Sequence, residues 1–178
     1  MSKLYKLGVI GNPIEHSMSP FIHSRFARYE NISLEYLPYK INEPDFNKFV
    51  KEFFSDKYAK GLNVTLPYKK IASEISGDIS KAAKYINAVN TITNYKNKLS
   101  LASTDGVGFI DDINSKKFDL ENKKILIIGA GAASESVLYK VAKSKVNAIT
   151  ILNRTKEKSE KLQRKYSSIV PISCLLYT

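Results

Sequence analysis

The sequence predicts an α/β protein made of two consecutive units, and three observations support that prediction. Apolar segments with strand spacing alternate along the chain with segments of helical spacing, which is typical of a mostly parallel sheet with right-handed crossovers. A glycine turn at residues 129–131 stands between an apolar run and a helical segment. A polar, charged stretch over residues 115–123 separates the two units, which we place at residues 1–113 and 114–178.

The first unit should begin with a strand over residues 3–10 and a helix from about residue 19 to 29. Ser19 has the character of an N-cap, and Pro20 suits the first helical position. One side of this helix carries four apolar residues: Phe21, Ile22, Phe26 and Ala27.

A second strand is expected over residues 34–41, and Pro44 should open a second helix. Five apolar side chains in that helix recur at helical spacing and predict a core-facing stripe: Phe46, Phe49, Val50, Phe53 and Phe54. Short strands follow over residues 88–95 and 99–102, joined by a turn at Asn97 and Lys98, and a helix should start near Phe109.

The second unit opens with four consecutive apolar residues, 125–128, which predict a strand buried on both faces. A helix over residues 133–145, a strand over 148–152 and a charged helix capped by Thr155 should follow. Strand, glycine turn, helix and strand in this order form the βαβ unit in which a glycine fingerprint indicates a dinucleotide.

Composition excludes several classes of function. The net charge is +11, but the lysines and arginines are dispersed and form no aromatic-interleaved stripe, so we expect no nucleic-acid partner. The chain has no long apolar run and a single cysteine, Cys174, and its polar N-terminus does not resemble a signal peptide. We therefore expect a cytoplasmic protein without a membrane partner or a metal, and leave open whether it is a monomer or a homodimer.

The stretch over residues 61–69 predicts a small-molecule site at the end of a strand. Asn63 and Thr65 alternate with apolar residues and should point to one face, and Pro67 ends the strand. Lys69 then follows at the carboxyl edge, where open α/β sheets bind ligands. A solvated lysine in a surface turn is the alternative interpretation of this stretch alone.

The glycine turn and the end of the next strand favour NADP. Gly129 permits the tight turn, and Gly131 lets a diphosphate approach the helix N-terminus, in a loop that also includes Ala130, Ala132 and Ala133. An NAD site would have an acidic residue at the end of the following strand. Here that end carries Asn153, Arg154 and Thr155, with Lys158 one turn further, and these cations suit a 2′-phosphate.

Ser17 and Ser19 stand two residues apart where a loop becomes a helix, and two such hydroxyls can hydrogen-bond a carboxylate. The alternative is that Ser19 serves only as an N-cap. His16 has no partner in the sequence pattern, so we treat His16 and His23 as structural or exposed.

Taken together, these motifs resemble the shikimate dehydrogenase family over nearly the whole chain. The shared segments are residues 11–20, 63–69, 88–91, 104–106, 129–133 and 153–155. The resemblance implies an N-terminal substrate domain, an NADP-binding Rossmann domain, and reversible NADPH-dependent reduction of 3-dehydroshikimate to shikimate on the route to chorismate and the aromatic amino acids.

The resemblance also implies roles for individual residues. Ser17 and Ser19 would hold the substrate carboxylate. The ring hydroxyls would be bound by Thr65, Asn90 and Asp105, together with Asn63. Lys69 would be the general acid/base, paired with Asp105.

The chain also departs from the family pattern. Asn87 and Ala132 replace glycines, Ala102 and Ser103 replace a Gly-x-Asn, and the Rossmann domain is expected to be incomplete. We therefore expect weak or absent turnover by this chain. Two alternatives stay open: a quinate/shikimate dehydrogenase that uses NAD, and a catalytically impaired, ligand-binding member of the family.

Overall fold

The computed structural model describes residues 4–176. These residues form two compact units, which divide between Ser103 and Thr104. The division lies about ten residues before the boundary expected after residue 113. The reason is that the helix at Asp105–Ser115 packs closely against the helix at Ala132–Val141 and so belongs to the second unit. This helix starts at Asp105, not near Phe109 as expected.

Within residues 4–103 the structure shows six strands and three helices, together with 3₁₀ turns at Glu43–Asp45 and Ile71–Glu74. In chain order these are β1 (Tyr5–Gly11), α1 (Ser19–Tyr29), β2 (Leu34–Lys40), α2 (Phe46–Ser55), β3 (Ala59–Val64), β4 (Asp78–Ile79), α3 (Lys81–Ile86), β5 (Thr91–Tyr95) and β6 (Lys98–Ala102). Lys3, where we expected β1 to begin, lies outside the described residues.

The strands of the first unit form one mixed sheet in the order β2-β1-β3-β5-β6-β4. Strand β1 runs parallel to both β2 and β3, whereas β5 is antiparallel to β3 and to β6. The turn between β5 and β6 is at Lys96 and Asn97, one residue earlier than expected, and both residues have positive φ. The parallel pairing of β1 with β3 brings the carboxyl ends of these two strands to the same edge of the sheet.

The two helices beside this sheet differ in how well the apolar pattern predicts their burial. In α2 the prediction is confirmed: Phe46 and Val50 are buried, and the other three apolar residues pack against the same core. In α1 only Ala27 of the four apolar residues is buried. Phe21, Ile22 and Phe26 are 52%, 43% and 61% exposed, so most of the apolar side of this helix is exposed.

The second unit is a three-stranded parallel sheet in the order β7-β8-β9 with three helices. Its elements are α4 (Asp105–Ser115), β7 (Lys124–Ile128), α5 (Ala132–Val141), β8 (Ala148–Asn153), α6 (Lys156–Tyr166) and β9 (Ile172–Leu176). This arrangement confirms the predicted α/β class and the Rossmann-like order of elements.

The prediction that β7 is buried on both faces is wrong. Ile125 and Ile127 pack against the core of the second unit, but Leu126 and Ile128 are 57% and 67% exposed. Strand β7 is an edge strand of the sheet formed by residues 124–176. The four-residue apolar run therefore behaves as an alternating strand with one uncovered face.

Two absences apply to the part of the chain that the structure describes. Between residues 4 and 176, no helix combines the length and the apolar character needed to cross a bilayer. The same residues contain no cluster of three or more His, Cys, Asp or Glu side chains suited to a metal ion.

Candidate functional site

A cavity of about 270 Å³ opens at the carboxyl edge of the first unit's sheet. It is lined by Val9, Pro13, Ile14, His16, Ser17, Ser19 and Thr65. Three of the residues expected to bind substrate, Ser17, Ser19 and Thr65, thus share one cavity. They come from the loop after β1, the start of α1 and the end of β3, which meet because β1 and β3 are parallel neighbours.

Backbone hydrogen bonds fix the walls of this cavity. The Asn12 N–H donates to the Leu66 carbonyl at 3.0 Å, and the Thr65 N–H donates to the Ile10 carbonyl at 2.9 Å. Gly11 is required here, because a Cβ at this position would lie 2.5 Å from Thr65 Cγ2. The loop and the end of β3 are therefore in direct contact.

The serine pair is arranged differently from the predicted cap. Ser19 is the first residue of α1, and Met18 occupies the N-cap position without a side-chain bond. It is Ser17 Oγ that accepts a hydrogen bond from the Ser19 N–H, at 3.3 Å. The Ser19 hydroxyl is thus not used as an N-cap.

An ion pair between Glu15 and Lys40 ties the serine loop to the end of β2. The hydrogen bond from Lys40, followed by backbone N–H donors, lowers the pKa of Glu15 from its ordinary value of 4.5 to about 2. The loop that carries Ser17 is thereby held to the sheet at neutral pH.

Backbone hydrogen bonds tie Lys69 and Asn90 each to a neighbouring segment of the first unit. The Val89 N–H donates to the Lys69 carbonyl at 2.7 Å, and the Val64 N–H donates to the Asn90 carbonyl at 2.7 Å. Asn87, which replaces a glycine of the family pattern, has φ +57° at the end of α3, and asparagine tolerates this left-handed conformation better than most residues. Asn87 therefore fits a backbone conformation that the family's glycine would also adopt, and the chain continues from α3 to Asn90.

A row of side-chain hydrogen bonds crosses the sheet beside these residues. The Tyr36 hydroxyl donates to Asn63 Oδ1 at 2.8 Å, and Asn63 Nδ2 donates to Thr91 Oγ1 at 3.4 Å. Thr91 Oγ1 in turn donates to Asn90 Oδ1 at 3.0 Å. The row links Asn63 and Asn90, two residues expected to bind substrate.

Sequence analysis missed the other two members of this row, Tyr36 and Thr91. Tyr36 is 8% exposed, and its ring stacks on His23 with centroids 4.2 Å apart. Burial raises the pKa of Tyr36 to about 12, against a smaller opposing effect of a hydrogen bond with Ser19. A polar aromatic residue inside a strand is a weak signal, and only the pairing of strands reveals its partner.

In the second unit the glycine turn combines a left-handed residue with an unobstructed helix N-terminus. Gly129 has φ +105°, a conformation that L side chains rarely adopt, and its N–H donates to the Leu152 carbonyl at 2.8 Å. Gly131 is the N-cap of α5, and a Cβ placed on it would meet nothing within 4 Å. The space in front of the α5 N-terminus, next to Ala130, Ala132 and Ala133, is therefore open to a ligand.

The end of β8 carries the predicted cations. Arg154 and Lys158 are exposed, and Asn153 Nδ2 donates to the Thr155 carbonyl at 2.7 Å, which shapes the turn into α6. Thr155 is the N-cap of α6 as predicted, but its side chain makes no capping bond.

Asp105 begins α4 and is half-buried beside a cavity of about 400 Å³ that Ser134 of α5 also lines. The next residue, Gly106, donates its buried N–H to Ser136 Oγ at 3.0 Å. A Cβ on Gly106 would stand 2.0 Å from the Ser136 carbonyl oxygen, so this helix crossing requires glycine. Asp105 and Lys69 belong to different units, and their pairing stays a prediction.

Two family models match the chain in succession. The shikimate dehydrogenase substrate binding domain matches residues 9–92, and the shikimate / quinate 5-dehydrogenase model matches residues 112–176. The shikimate dehydrogenase (NADP(+)) of Legionella pneumophila (strain Lens) is 40% identical over 166 residues, which are 93% of this chain and 62% of that protein.

Solved structures agree with the family models. The shikimate dehydrogenase of Aquifex aeolicus is 34% identical with a TM-score of 0.87, covering 98% of this chain and 64% of its own. The shikimate 5-dehydrogenase of Listeria monocytogenes, in complex with shikimate and NAD, is 28% identical with a TM-score of 0.87, covering 99% of this chain and 62% of its own. The chain thus spans about three fifths of the length of the relatives that it matches.

Proposed function

The chain belongs to the shikimate dehydrogenase family, and from that premise we propose that it binds shikimate in its first unit and takes part in the NADP-linked interconversion of 3-dehydroshikimate and shikimate. The observation that supports this most strongly is the shared cavity of Ser17, Ser19 and Thr65. Two hydroxyls at a helix start suit a carboxylate, and a third at the end of a strand suits a ring hydroxyl.

The row of hydrogen bonds from Tyr36 to Asn90 supports the same proposal. Asn63 and Asn90 are held by neighbours, so their carboxamides are pre-oriented for a polyhydroxylated ring. Pre-orientation lowers the entropy that binding costs. We propose that the substrate unit ends before α4, about ten residues earlier than expected, and that the coenzyme unit follows it.

The residues of the second unit fit NADP. The open space at Gly131 and the α5 N-terminus would receive the diphosphate, and Arg154 with Lys158 would hold the 2′-phosphate. The remaining contacts would come from the loop residues Ala130, Ala132 and Ala133 and from the β8 turn. When bound, the coenzyme supplies the hydride.

The chain's own chemical contribution would be a proton at Lys69. A carbonyl that gains a hydride becomes an alkoxide, and the Lys69 ammonium would deliver the proton that completes the hydroxyl. In the oxidising direction the neutral amine would accept that proton. Asp105 would bind a ring hydroxyl and pair with Lys69.

Lys69→Ala tests the proton role, and Lys70→Ala is its matched control, because Lys70 is the next residue of the same turn and is exposed. Shikimate binding to the purified chain is measured by calorimetry, and NADP-linked oxidation of shikimate by absorbance. We expect binding in all three proteins, weak turnover in the wild type and in Lys70→Ala, and none in Lys69→Ala. Absence of shikimate binding at millimolar concentration would overturn the proposal.

A second candidate is a quinate/shikimate dehydrogenase that uses NAD. It is favoured by the match of residues 112–176 to the shikimate / quinate 5-dehydrogenase model and by the NAD complex of the Listeria relative. Arg154 and Lys158 favour NADP instead. Calorimetric titration with NADP⁺ and NAD⁺, and with shikimate and quinate, separates the two: tighter binding of NAD⁺ and quinate would establish the second candidate.

A further inference from the structure

We propose that Tyr36 is a positioning residue of the substrate site, whose hydroxyl fixes the orientation of the Asn63 carboxamide. The inference rests on the proposed function, since Asn63 is assigned to the substrate there. It adds a residue outside the family motifs that lines no part of the 270 Å³ cavity.

The first step is the direction of the hydrogen bonds. Tyr36 has one hydroxyl proton, which is donated to Asn63 Oδ1 at 2.8 Å. The Asn63 amide group then faces Thr91 Oγ1. A carboxamide has two N–H donors, and one of those of Asn63 is donated to Thr91. Within the described residues, the second N–H of Asn63 is therefore available to a ligand oxygen.

The second step is the rigidity of Tyr36. Its ring lies in a small apolar cluster with Val9 and Ile14 and stacks on His23 at an interplanar angle of 9°. Strand pairing places it directly opposite Leu7 on β1. The hydroxyl is therefore carried by a fixed ring, and, because burial raises the pKa of Tyr36 to about 12, it stays a donor throughout the neutral range.

The third step is what its loss would do. The two ends of a carboxamide have nearly the same shape, so only hydrogen bonds decide which end faces the ligand. Without the Tyr36 hydroxyl, Asn63 Oδ1 loses its donor and the group is free to turn its oxygen toward a ligand oxygen. We expect shikimate binding to weaken by about tenfold, the size of one lost hydrogen bond to a partly buried acceptor.

The test compares Tyr36→Phe with Tyr39→Phe. Tyr39 lies on the opposite face of the same strand and packs on Phe49 and Phe53, so its variant removes a phenol hydroxyl away from the site. Calorimetry with shikimate should give a dissociation constant about tenfold higher for Tyr36→Phe and an unchanged one for Tyr39→Phe. An unchanged value for Tyr36→Phe overturns the inference.

A double-mutant cycle separates positioning from general packing. If Tyr36 acts through Asn63, then Tyr36→Phe has no further effect in the Asn63→Ala background. An equal, additive loss in that background would show that Tyr36 acts through its hydrogen bond with Ser19 or through packing, and would overturn the inference. If Tyr36→Phe does not fold, Thr91→Val removes the other partner of the same carboxamide and is measured in the same cycle.

A ligand-free measurement keeps this inference distinct from the proposed function. In ¹⁵N NMR spectra the Asn63 side-chain amide should exchange slowly with water in the wild type and faster in Tyr36→Phe. Failure of the wild type to bind shikimate would overturn the proposed function alone. Identical amide exchange in the two proteins would overturn the positioning role, whatever the binding result.

Discussion

Replacing Gly106 with alanine should unfold the second unit at a markedly lower temperature. The added Cβ would lie 2.0 Å from the Ser136 carbonyl oxygen and 2.7 Å from its carbon. Backbone atoms cannot rotate aside, so α4 and α5 must separate by about 1 Å, and overpacking of this kind costs about 1–3 kcal/mol.

The same separation affects a buried hydrogen bond. The Gly106 N–H donates to Ser136 Oγ at 3.0 Å, and leaving that N–H unsatisfied costs about 1–3 kcal/mol more. The total of about 2–6 kcal/mol corresponds to a fall of about 10 °C or more in the melting temperature of a unit of this size. Asp105, the neighbouring residue, would be displaced with the start of α4.

The control lies in the same helix. A Cβ on Gly108 would meet nothing within 4 Å, so Gly108→Ala should stabilise α4 by up to about 1 kcal/mol. Differential scanning calorimetry of both variants measures the contrast, and amide hydrogen exchange confirms that the loss is in residues 104–176. Equal melting temperatures for the two variants would refute the argument from helix contact.

Further predictions concern pH and the coenzyme. The folded-state pKa of Glu15 is about 2, below its ordinary value of 4.5, so its stabilising effect is present above pH 4.5 and is lost as the pH falls toward 2. In urea denaturation, Glu15→Gln should flatten the dependence of the unfolding free energy on pH between 4.5 and 2. The pKa of Tyr36 is raised to about 12 from 10.0, so its contribution to the stability of the fold is present below pH 10.0 and is lost as the pH rises toward 12. In Tyr36→Phe the ionisation step near the high-pH end of the tyrosinate absorbance titration should be missing. Gly131→Ala should leave the melting temperature unchanged, because a Cβ there has open space. It should weaken NADP⁺ binding in calorimetry by about tenfold or more, and unchanged binding would show that Gly131 is not part of the diphosphate site. Arg154→Ser should lower the preference for NADP⁺ over NAD⁺ by about 10- to 100-fold in the same titration, and an unaltered ratio would contradict its role.

The sequence predicted most of the fold because its local patterns agree with each other. The apolar stripe of α2 and the glycine turn at Gly129 are both found where expected. Periodicity alone could not say whether the apolar side of a helix is covered: Phe21 and Phe26 were placed on one side of α1, and both are exposed. For the same reason the apolar run that forms β7 was expected to be buried on both faces.

The candidate site was predictable in part. Ser17 and Thr65 were expected to act together, and both line one cavity. Tyr36 could not be found in this way, because its partner Asn63 is 27 residues away and only the order of strands brings them together. Hydrogen bonds between side chains that are far apart in the sequence produce no periodic pattern of residues from which they could be predicted.

The backbone bonds from Val89 to Lys69 and from Val64 to Asn90 have a practical consequence. The chain contains no tryptophan, so it lacks the usual fluorescent reporter. The amide protons of Val64 and Val89 can replace it, since each is released to deuterium only when the segment around Lys69 or Asn90 detaches from its neighbour. Mass spectrometry can follow deuterium uptake at these two amides. The uptake therefore reports whether the segments around Lys69 and Asn90 are folded before any substrate is added.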